Sequence, residues 1–476
     1  MADPGTPDWW LDRLYKRLRD RVPQVRAWDD WYTGKHPVPQ GYEDAEPLFQ
    51  RIMETVGLNM LAVVSDAPMP RMTITGFKVN GASNDDVWNA WQANNFDRGS
   101  RLVRQDKHAL SEAYVMVDPG GEIPRMTPEH PEQCIVEYAP GSSRERVAAL
   151  KVWQDEIDPS GPKIRAFLDL GAQGVYSYAA PTRAFADPTR AAAMAIRPGW
   201  ELQPTESGGN PLGEPSIVAF PNRARMLAAP LPEFHRAITP QRRINKSLLD
   251  RMAMQDQGAF KAMWASGLKI PRDPVTGQPV EQFLKAINRV FVNENPEGKF
   301  GQLEAEDIKQ MLEAVRDDVL DCAMTVPTSA DSIMGKLVNV AADGLKLAQS
   351  SEVSRTRDRM AEEDDSWEDV NRLVLKAMGK SVPNVGRMTT EWRNPEYVTD
   401  TEQANAATVA QTAGMPAEVS WERYFNASPD DVKDWSSKNR EAQRQAQVDM
   451  FSTLDPATQA AIKGVTGVNA DTGAGA

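Results

Sequence analysis

Apolar positions in the first half of the chain begin with a helical period and then change to short alternating runs. Trp10, Leu14 and Leu18 recur every four residues, which predicts an amphipathic helix over residues 8–35. Further helices are predicted at residues 47–65, 85–94 and 100–112, and a first strand at residues 72–79. The strands predicted beyond these helices are Ala113–Val117, Cys134–Tyr138, Val147–Gln154, Ile164–Leu170, Val175–Tyr178 and Ser216–Phe220. We therefore expect an α+β half in which an antiparallel meander follows the helices.

The second half is dominated by long helical patterns. Two helices, Pro232–Gln257 and Glu304–Thr325, enclose a compact insertion with strand-like runs at Phe260–Ala265 and Arg289–Val292. A longer helix is predicted from Ala341 to Met378 and is charged on most faces. The shorter helices predicted after a strand end at Glu391–Pro395 are Asp400–Thr412, Pro416–Tyr424 and Pro429–Met450.

Length and charge limit the kind of protein. At about 150 residues per domain, 476 residues indicate about three structural units. The formal net charge of −13 argues against a protein that holds nucleic acid mainly through a broad basic face. A local basic surface stays possible, and the first long helix of the second half is the most basic stretch of the chain. Its basic residues are Arg236, Arg242, Arg243, Lys246 and Arg251.

The residues that usually carry catalysis or bind metals are sparse. Cys134 and Cys322 form no CxxC pair, and no two of the four histidines have the spacing of a zinc-binding helix. Gly379-Lys380-Ser381 resembles the end of a phosphate-binding loop, but Val374 stands where that loop needs glycine. We expect no enzymatic activity, no cofactor and no metal. The start of the chain lacks a signal-peptide pattern and no stretch is apolar enough to span a bilayer, so we expect a soluble, non-secreted protein.

The first helix mixes aromatic and basic residues. Arg13, Arg17 and Arg21 alternate with tryptophans and leucines, and Trp28 and Trp31 follow. Such a segment can bind nucleic acid by stacking. The alternative, which we favour, is a packed amphipathic helix whose basic residues lie on the outer face.

Several segments in a fixed order resemble the portal proteins of tailed bacteriophages, in the branch found in many actinobacterial phages. The helix–β insertion–helix order between Pro232 and Thr325 is similar to the stem–clip–stem order of that family. The other similar segments are Leu14–Leu18, Trp28–Gly34, Gly57–Asp66, Val326-Pro327, Asn339–Ala348, Trp392–Pro395 and Gly414–Ser420. Two departures are Ala341-Ala-Asp-Gly, where the family usually has serine and alanine, and the missing lysine within Ala404–Gly414.

The resemblance implies a portal-protein fold with a mixed α/β wing, a two-helix stem, a small α/β clip, a long wing helix and a helical C-terminal crown. The implied regions are wing 1–231, stem helix 232–258, clip 259–303, stem helix 304–326, tunnel loop 327–345, long wing helix 346–383, and crown 384–476 with a flexible C-terminal tail.

The resemblance also implies a role in the virion. Portal proteins form a homo-dodecameric ring at one capsid vertex, with a channel for non-specific double-stranded DNA during packaging and ejection. The implied partners are further copies of the chain, the major capsid and scaffolding proteins, the terminase large subunit and the head-to-tail adaptor, and no membrane. The chain would be made in the cytoplasm of the bacterial host. Two rival readings are another virion component, such as a capsid or adaptor protein, and a DNA-packaging enzyme, which would need a phosphate loop or an acidic metal cluster.

Two hypotheses about residues follow. DNA that slides must not be held, so basic groups near the channel should be few, and we assign Lys336 and Lys346 to it. The basic residues of the first stem helix, Arg236, Arg242, Arg243, Lys246 and Arg251, are predicted to face Asp317, Asp318 and Asp321 of a neighbouring subunit and to fix the register of the ring. The alternative is that these arginines meet packaged DNA or the capsid shell.

Overall fold

The computed structural model describes eleven stretches of the chain. They are residues 3–38, 57–158, 161–181, 199–259, 263–266, 299–302, 308–328, 342–382, 388–396, 398–425 and 427–453. These residues fall into two compact units. Unit 1 combines residues 1–26, 66–232 and 337–476, and unit 2 combines residues 27–65 and 233–336.

Most secondary structure belongs to unit 1. Its helices are α1 (Pro7–Tyr32, which continues into unit 2), α3 (Asp85–Ala93), α4 (Phe96–Leu110), α7 (Ala342–Ala377), α8 (Asp400–Thr412), α9 (Ala417–Phe425) and α10 (Pro429–Thr453). Its strands are β1 (Ile74–Val79), β2 (Ala82–Ser83), β3 (Glu112–Asp118), β4 (Arg125–Glu129), β5 (Cys134–Tyr138), β6 (Arg146–Asp155), β7 (Lys163–Asp169), β8 (Val175–Pro181), β9 (Glu201–Leu202), β10 (Ile217–Pro221) and β13 (Met388–Trp392).

The predicted antiparallel meander is confirmed. Strands β5 to β9 pair in chain order, each antiparallel to the next. The first part of α1 packs on this sheet, where Leu14 and Leu18 meet Leu150 and Leu168 in one buried cluster. The outer face of α1 is held by ion pairs, including that of Arg13 with Glu137 at 3.1 Å. The packed amphipathic interpretation of α1 is therefore the one that the structure has.

A second core in unit 1 is aromatic. Trp367 of α7 is fully buried and its ring lies 5.1 Å from that of Trp91, 5.9 Å from that of Phe96 and 4.5 Å from that of Phe220. These edge-on contacts join α7 to α3, α4 and β10. Helix α7, which the sequence indicates to be charged on most faces, is therefore the central helix of the unit.

Two small sheets border the aromatic core. Strands β10, β3 and β4 form one antiparallel sheet, and the pattern of the chain did not predict β4, which contains Pro128. Strand β13 pairs antiparallel with β1, so that Phe77 faces Thr390 across more than three hundred residues of chain. Residues 388–392, placed by resemblance in the crown, thus belong to the same sheet as the N-terminal strand β1.

The three C-terminal helices begin at strong local signals. Helix α8 starts with a capping box, in which the Thr399 hydroxyl accepts from the Glu402 backbone and the Glu402 carboxylate accepts from the Thr399 backbone. Its bounds are those predicted. Helix α10 is anchored near its start, where the Trp88 indole donates to Asp430 at 3.1 Å.

Unit 2 is built from two long helices. Its elements are α2 (Met60–Asp66, whose last residue belongs to unit 1), α5 (Ile238–Ala259), β11 (Met263–Ser266), β12 (Lys299–Gln302) and α6 (Ile308–Thr325). Strands β11 and β12 pair antiparallel, Met263 opposite Gln302 and Ser266 opposite Lys299. The two helices agree with the sequence pattern, and β11 overlaps the predicted run Phe260–Ala265. Strand β12 was not predicted, and the predicted run Arg289–Val292 lies outside the described residues. Unit 2 also contains residues 27–65, which the resemblance had assigned to the wing.

Candidate assembly and channel surfaces

The two long helices of unit 2 pack through apolar positions at helical spacing. Ile244 and Leu248 of α5 share a buried cluster with Val315, Val319 and Cys322 of α6. Burial raises the pKa of the Cys322 thiol to about 11, so the thiol stays protonated and inert at neutral pH. The spacings of four and three place these side chains on one face of each helix.

A polar network lies beside this apolar seam. Gln241 and Asn245, both buried, stand one turn apart on α5, and the Gln241 Nε2 donates to the Asn245 Oδ1 at 2.7 Å. The same Gln241 amide bonds the backbone of the segment before α2, donating to the Leu58 carbonyl at 2.8 Å and accepting from the Met60 N–H at 2.9 Å. The glutamine thereby ties the segment before α2 to the first long helix.

His36 completes the network. Its Nδ1 lies 3.0 Å from the Asn245 Nδ2, and its Nε2 lies 3.1 Å from the Trp31 carbonyl. Since an amide nitrogen donates, Nδ1 accepts and Nε2–H donates, which is the neutral tautomer. Burial lowers the pKa of His36, against the opposing effect of the hydrogen bond to Trp31. The network is therefore uncharged at neutral pH.

The basic residues of α5 occupy different surroundings. Arg243 pairs within its own chain, with Asp318 at 3.4 Å and Asp321 at 2.6 Å. Arg242 is exposed and its guanidinium lies 5.5 Å from the centre of the Trp31 ring. Lys246 pairs with Asp250 one turn on, at 3.1 Å. Arg236, just before α5, is exposed, and Arg251 is half-buried.

The acidic residues of α6 also differ in their surroundings. Asp318 accepts from the Ser247 hydroxyl at 3.2 Å as well as pairing with Arg243. Because residues 243 and 247 of α5 face 321 and 318 of α6 in reverse order, the two helices run antiparallel. Asp317 is exposed, and within the described stretches its carboxylate has no ion-pair partner. Two of the three predicted acidic residues are thus used inside the chain, and the third is free for an outside contact.

Of the two lysines assigned to the channel, one belongs to a described helix. Lys336 lies outside the described residues, and Lys346 belongs to the first turns of α7.

Unit 1 contains a buried ionic cluster that the sequence pattern did not reveal. Glu363 of α7 is 1 % exposed and contacts Arg104 at 3.2 Å and Lys107 at 3.3 Å. The Trp367 indole also donates to it, at 3.3 Å. Burial raises the pKa of Glu363, but Arg104, Lys107 and His108 outweigh that effect and hold it at about 2. The one available signal was that Arg104 and Lys107 lie on the apolar face of a strongly amphipathic helix.

Glu214 organises a second ionic network in unit 1. It pairs with Arg146 at 2.7 Å, with Arg372 at 2.9 Å and with Lys376 at 2.5 Å. Arg146 also reaches Asp369 at 2.8 Å. Burial raises the pKa of Glu214, but the hydrogen bonds from Arg372 and Lys376 outweigh it and lower the pKa below its usual value. The network fastens α7 to β6 and to the loop before β10.

A search for other chemistry gives little. Among the residues that the structure describes, no three His, Cys, Asp or Glu side chains converge as they would around a metal ion. The helices of the same residues include none that is both long enough and apolar enough to cross a membrane.

Comparison with known proteins places the chain. A family model described as phage portal protein, SPP1 Gp6-like, matches residues 11–445. The chain is 25% identical over 438 residues to the portal protein of Mycobacterium phage D29, covering 86% of this chain and 82% of that protein. It is 24% identical over 383 residues to the portal protein of Mycobacterium phage L5, covering 75% of this chain and 73% of the relative.

Among solved structures, a chain from the neck of a native gene transfer agent particle matches with a TM-score of 0.43 and 10% identity, covering 82% of this chain and 95% of that one. The assignment depends on the sequence comparisons alone. Because the family model matches nearly the whole chain, this protein belongs to the SPP1 Gp6-like family of phage portal proteins.

Proposed function

We propose that the chain forms a homo-dodecameric ring at one vertex of a phage capsid, with a central channel for packaging and ejecting double-stranded DNA. The observation that carries the proposal is the family match over residues 11–445. The antiparallel pair α5 and α6 enclosing the strand pair β11–β12 supports it, since this is the order of a stem and its clip. The acidic net charge of −13 is compatible with a conduit that lets DNA pass.

The partners follow from that position. The ring would nucleate assembly of the major capsid and scaffolding proteins, dock the terminase large subunit on the clip, and later receive the head-to-tail adaptor there. The role is structural, as in the family, with chemistry supplied by the packaging motor. The virion is then the place of action, and synthesis occurs in the bacterial cytoplasm.

We propose the following regions for the ring subunit. Residues 232–258 and 304–326 form the stem, 259–303 the clip and 327–345 the tunnel loop, with 1–231 and 346–383 in the wing. Strand β13 pairs with β1, so we extend the wing to residue 396 and begin the crown after it. Residues 27–65 group with α5 and α6 in unit 2, so we move these residues from the wing to the stem region.

The decisive test is electron microscopy of the purified chain in negative stain. Twelve-fold rings with a central hole are expected, and rings of a neighbouring subunit number would still support the proposal. Sheets, shells or short adaptor-like collars would favour another virion component and contradict it.

The channel assignment has its own test. We propose that Lys336 and Lys346 are the basic groups nearest the DNA. Reversing both charges (Lys336→Glu with Lys346→Glu) should reduce DNA packaging in an in-vivo assembly test without preventing ring formation. The matched control reverses two exposed lysines of unit 1, Lys16 and Lys438, which changes the net charge equally. Equal packaging by both double variants would contradict the assignment.

The ion pairs within the chain reduce the set of stem residues that we propose for contacts between subunits. Arg243, Asp318 and Asp321 bind one another within a chain, so we propose that Arg236, Arg242, Lys246 and Arg251 of one subunit face Asp317 of the next. Reversal at Arg236 (Arg236→Glu) should disturb ring closure, and adding Asp317→Arg should restore it. Reversal at Arg316, which is exposed on the same helix as Asp317, is the control. Rings of normal symmetry from every variant would contradict this register and favour the alternative that these residues meet DNA or the capsid shell.

A further inference from the structure

A cavity of about 720 Å³ lies in unit 1 beside the aromatic core. Part of its lining is apolar and includes Met72, Ile74 and Trp88. Three arginines also line it: Arg104, which is paired with Glu363, Arg101 on α4, and Arg393 just after β13. We name this the arginine cavity.

The charged side chains that line the arginine cavity differ in their hydrogen bonding. Asp97 accepts from the Trp91 indole at 2.8 Å, and Asp431 accepts from the Ser428 N–H and hydroxyl at 3.0 Å and 2.7 Å. By contrast, Arg101 and Arg393 are exposed, and within the part of the chain that the structure describes neither guanidinium has a hydrogen-bond or ion-pair partner. Two carboxylates thus share the lining with the arginines, and what the cavity offers is an apolar wall and two guanidinium groups whose donors are not used within the described chain. Such a surface suits a segment with an apolar tip and a carboxylate beside it.

Unit 1 itself carries such a segment at the turn that leaves β6. Ile157 is 92% exposed and follows Glu156, which is also exposed. The turn is held in shape by its base, since Arg165 binds Asp155 at 3.0 Å and Asp158 at 2.9 Å, and the Ile157 N–H donates to the Asp155 carboxylate at 3.2 Å. We name residues 155–158 the acidic tip.

The exposed isoleucine is available for a contact with another protein. Ile157 stands almost wholly in water, so its side chain contributes nothing to the core and would gain apolar burial on association.

We propose that the acidic tip of one copy of the chain docks in the arginine cavity of a neighbouring copy, Ile157 against the apolar wall and Glu156 between Arg101 and Arg393. The inference rests on the proposed ring, for which it supplies one specific contact. None of the residues that line the cavity belongs to the acidic tip of the same chain. Two different patches of one surface that complement each other make a head-to-tail contact, and such contacts generate a ring when the rotation between successive copies closes.

Charge selects this tip over another exposed apolar turn. Met226 and Leu227 are also fully exposed, at 96% and 108%, and Leu227 has a left-handed backbone with φ of 57°. That turn is flanked by Arg223 and Arg225, which would be repelled by the arginines of the cavity. The acidic tip brings the opposite charge.

The test is a charge swap measured by sedimentation velocity over a range of concentrations, with electron microscopy of the same samples. Either Glu156→Arg or Arg393→Glu alone should weaken self-association about tenfold, and the double variant should recover most of the loss. Added salt should weaken the wild-type association in the same direction. The matched control is Glu122→Arg, at the exposed Glu122-Ile123 turn between β3 and β4, which should change nothing.

The outcomes separate the two proposals. Rings that are unaffected by the single reversals overturn the docking of the acidic tip and leave the proposed function intact. Oligomers that weaken with the reversals and recover in the swap, yet never close into rings, keep the docking and overturn the proposed function. A stronger effect of Glu122→Arg than of Glu156→Arg would show that the Glu122-Ile123 turn, and not the acidic tip, docks in the cavity. A chain that is monomeric at every concentration contradicts both proposals.

Discussion

The two units bury polar groups by opposite means. Unit 1 encloses a charged cluster, in which the Glu363 carboxylate is shared by Arg104 and Lys107. Unit 2 encloses a neutral one, in which Gln241, Asn245 and His36 exchange hydrogen bonds. A buried charge must be compensated by another charge, whereas a buried amide needs only a hydrogen-bond partner.

The contrast predicts which kind of change destabilises each unit most. The ionic cluster lies against Trp367, in the middle of the aromatic core, so loss of its carboxylate would leave two buried cations without compensation. The neutral network lies beside the apolar contact between α5 and α6, and loss of one of its side chains would leave single hydrogen-bond donors or acceptors without a partner. We therefore expect unit 1 to be the more sensitive to substitution at neutral pH, and unit 2 to be the more sensitive to mild acid.

The largest effect is expected from Glu363→Gln. The change leaves Arg104 and Lys107 buried and unpaired, and breaking such a pair costs about 3–5 kcal/mol. Hydrogen exchange of the β3 and β10 amides, which report the opening of the aromatic core, should accelerate accordingly. The matched control is Asp365→Asn, two residues along the same helix, because the side chain of Asp365 is 76% exposed. If both variants exchanged at the wild-type rate, the ionic cluster would contribute nothing to the stability of unit 1.

A smaller effect is expected from Asn245→Ala. The substitution removes the partner of the His36 Nδ1 and one of the acceptors of Gln241, and an unsatisfied buried polar group costs about 1–3 kcal/mol. The amides of α5 and α6 should therefore exchange faster while those of β3 and β10 do not change. Gln255→Ala, at an exposed position of the same helix, is the control. Faster exchange in unit 1 instead would show that the network does not act on unit 2.

Sequence reasoning was most successful where the signal is local. Helix α8 has the predicted bounds, Asp400–Thr412, and its start is fixed by a local signal, the capping box of Thr399 and Glu402. The meander strands were placed to within a few residues because their apolar positions alternate between turns. The long helices α5 and α6 followed from their apolar periodicity.

Sequence reasoning was least successful where the surroundings of a residue depend on a partner that is distant along the chain. The charges of α7 predict a solvated helix, yet Glu352, Glu363 and Asp369 are buried because Arg71, Arg104 and Arg146 reach them from elsewhere. Likewise, no local pattern indicated that Asp318 and Asp321 pair with Arg243 of their own chain across the antiparallel packing of α5 on α6, and their contact with a neighbouring subunit stays a prediction. Pairings of this kind are set by the tertiary fold, and no local pattern encodes them.

The smallest effect, and the sharpest test of the comparison, is the response of the two units to acid. Burial lowers the pKa of His36 below its unfolded value, so the unfolded chain takes up a proton at a higher pH than the folded one. The stability that neutral His36 gives to unit 2 is therefore present above the unfolded pKa of about 6.5 and is lost as the pH falls below it. Glu363 behaves differently, because its folded pKa of about 2 lies below the usual 4.5. Its contribution to unit 1 is complete above pH 4.5 and declines only as the pH falls further towards 2.

Lowering the pH from 7.5 to 5.5 should consequently weaken the protection of the α5 and α6 amides, after correction for intrinsic exchange, while the β3 and β10 amides keep theirs. The variant His36→Gln, which cannot be protonated, should remove that response, and His130→Gln in unit 1 should preserve it. A loss of protection of equal size in both units, or one that persists in His36→Gln, would mean that the acid response arises outside the neutral network.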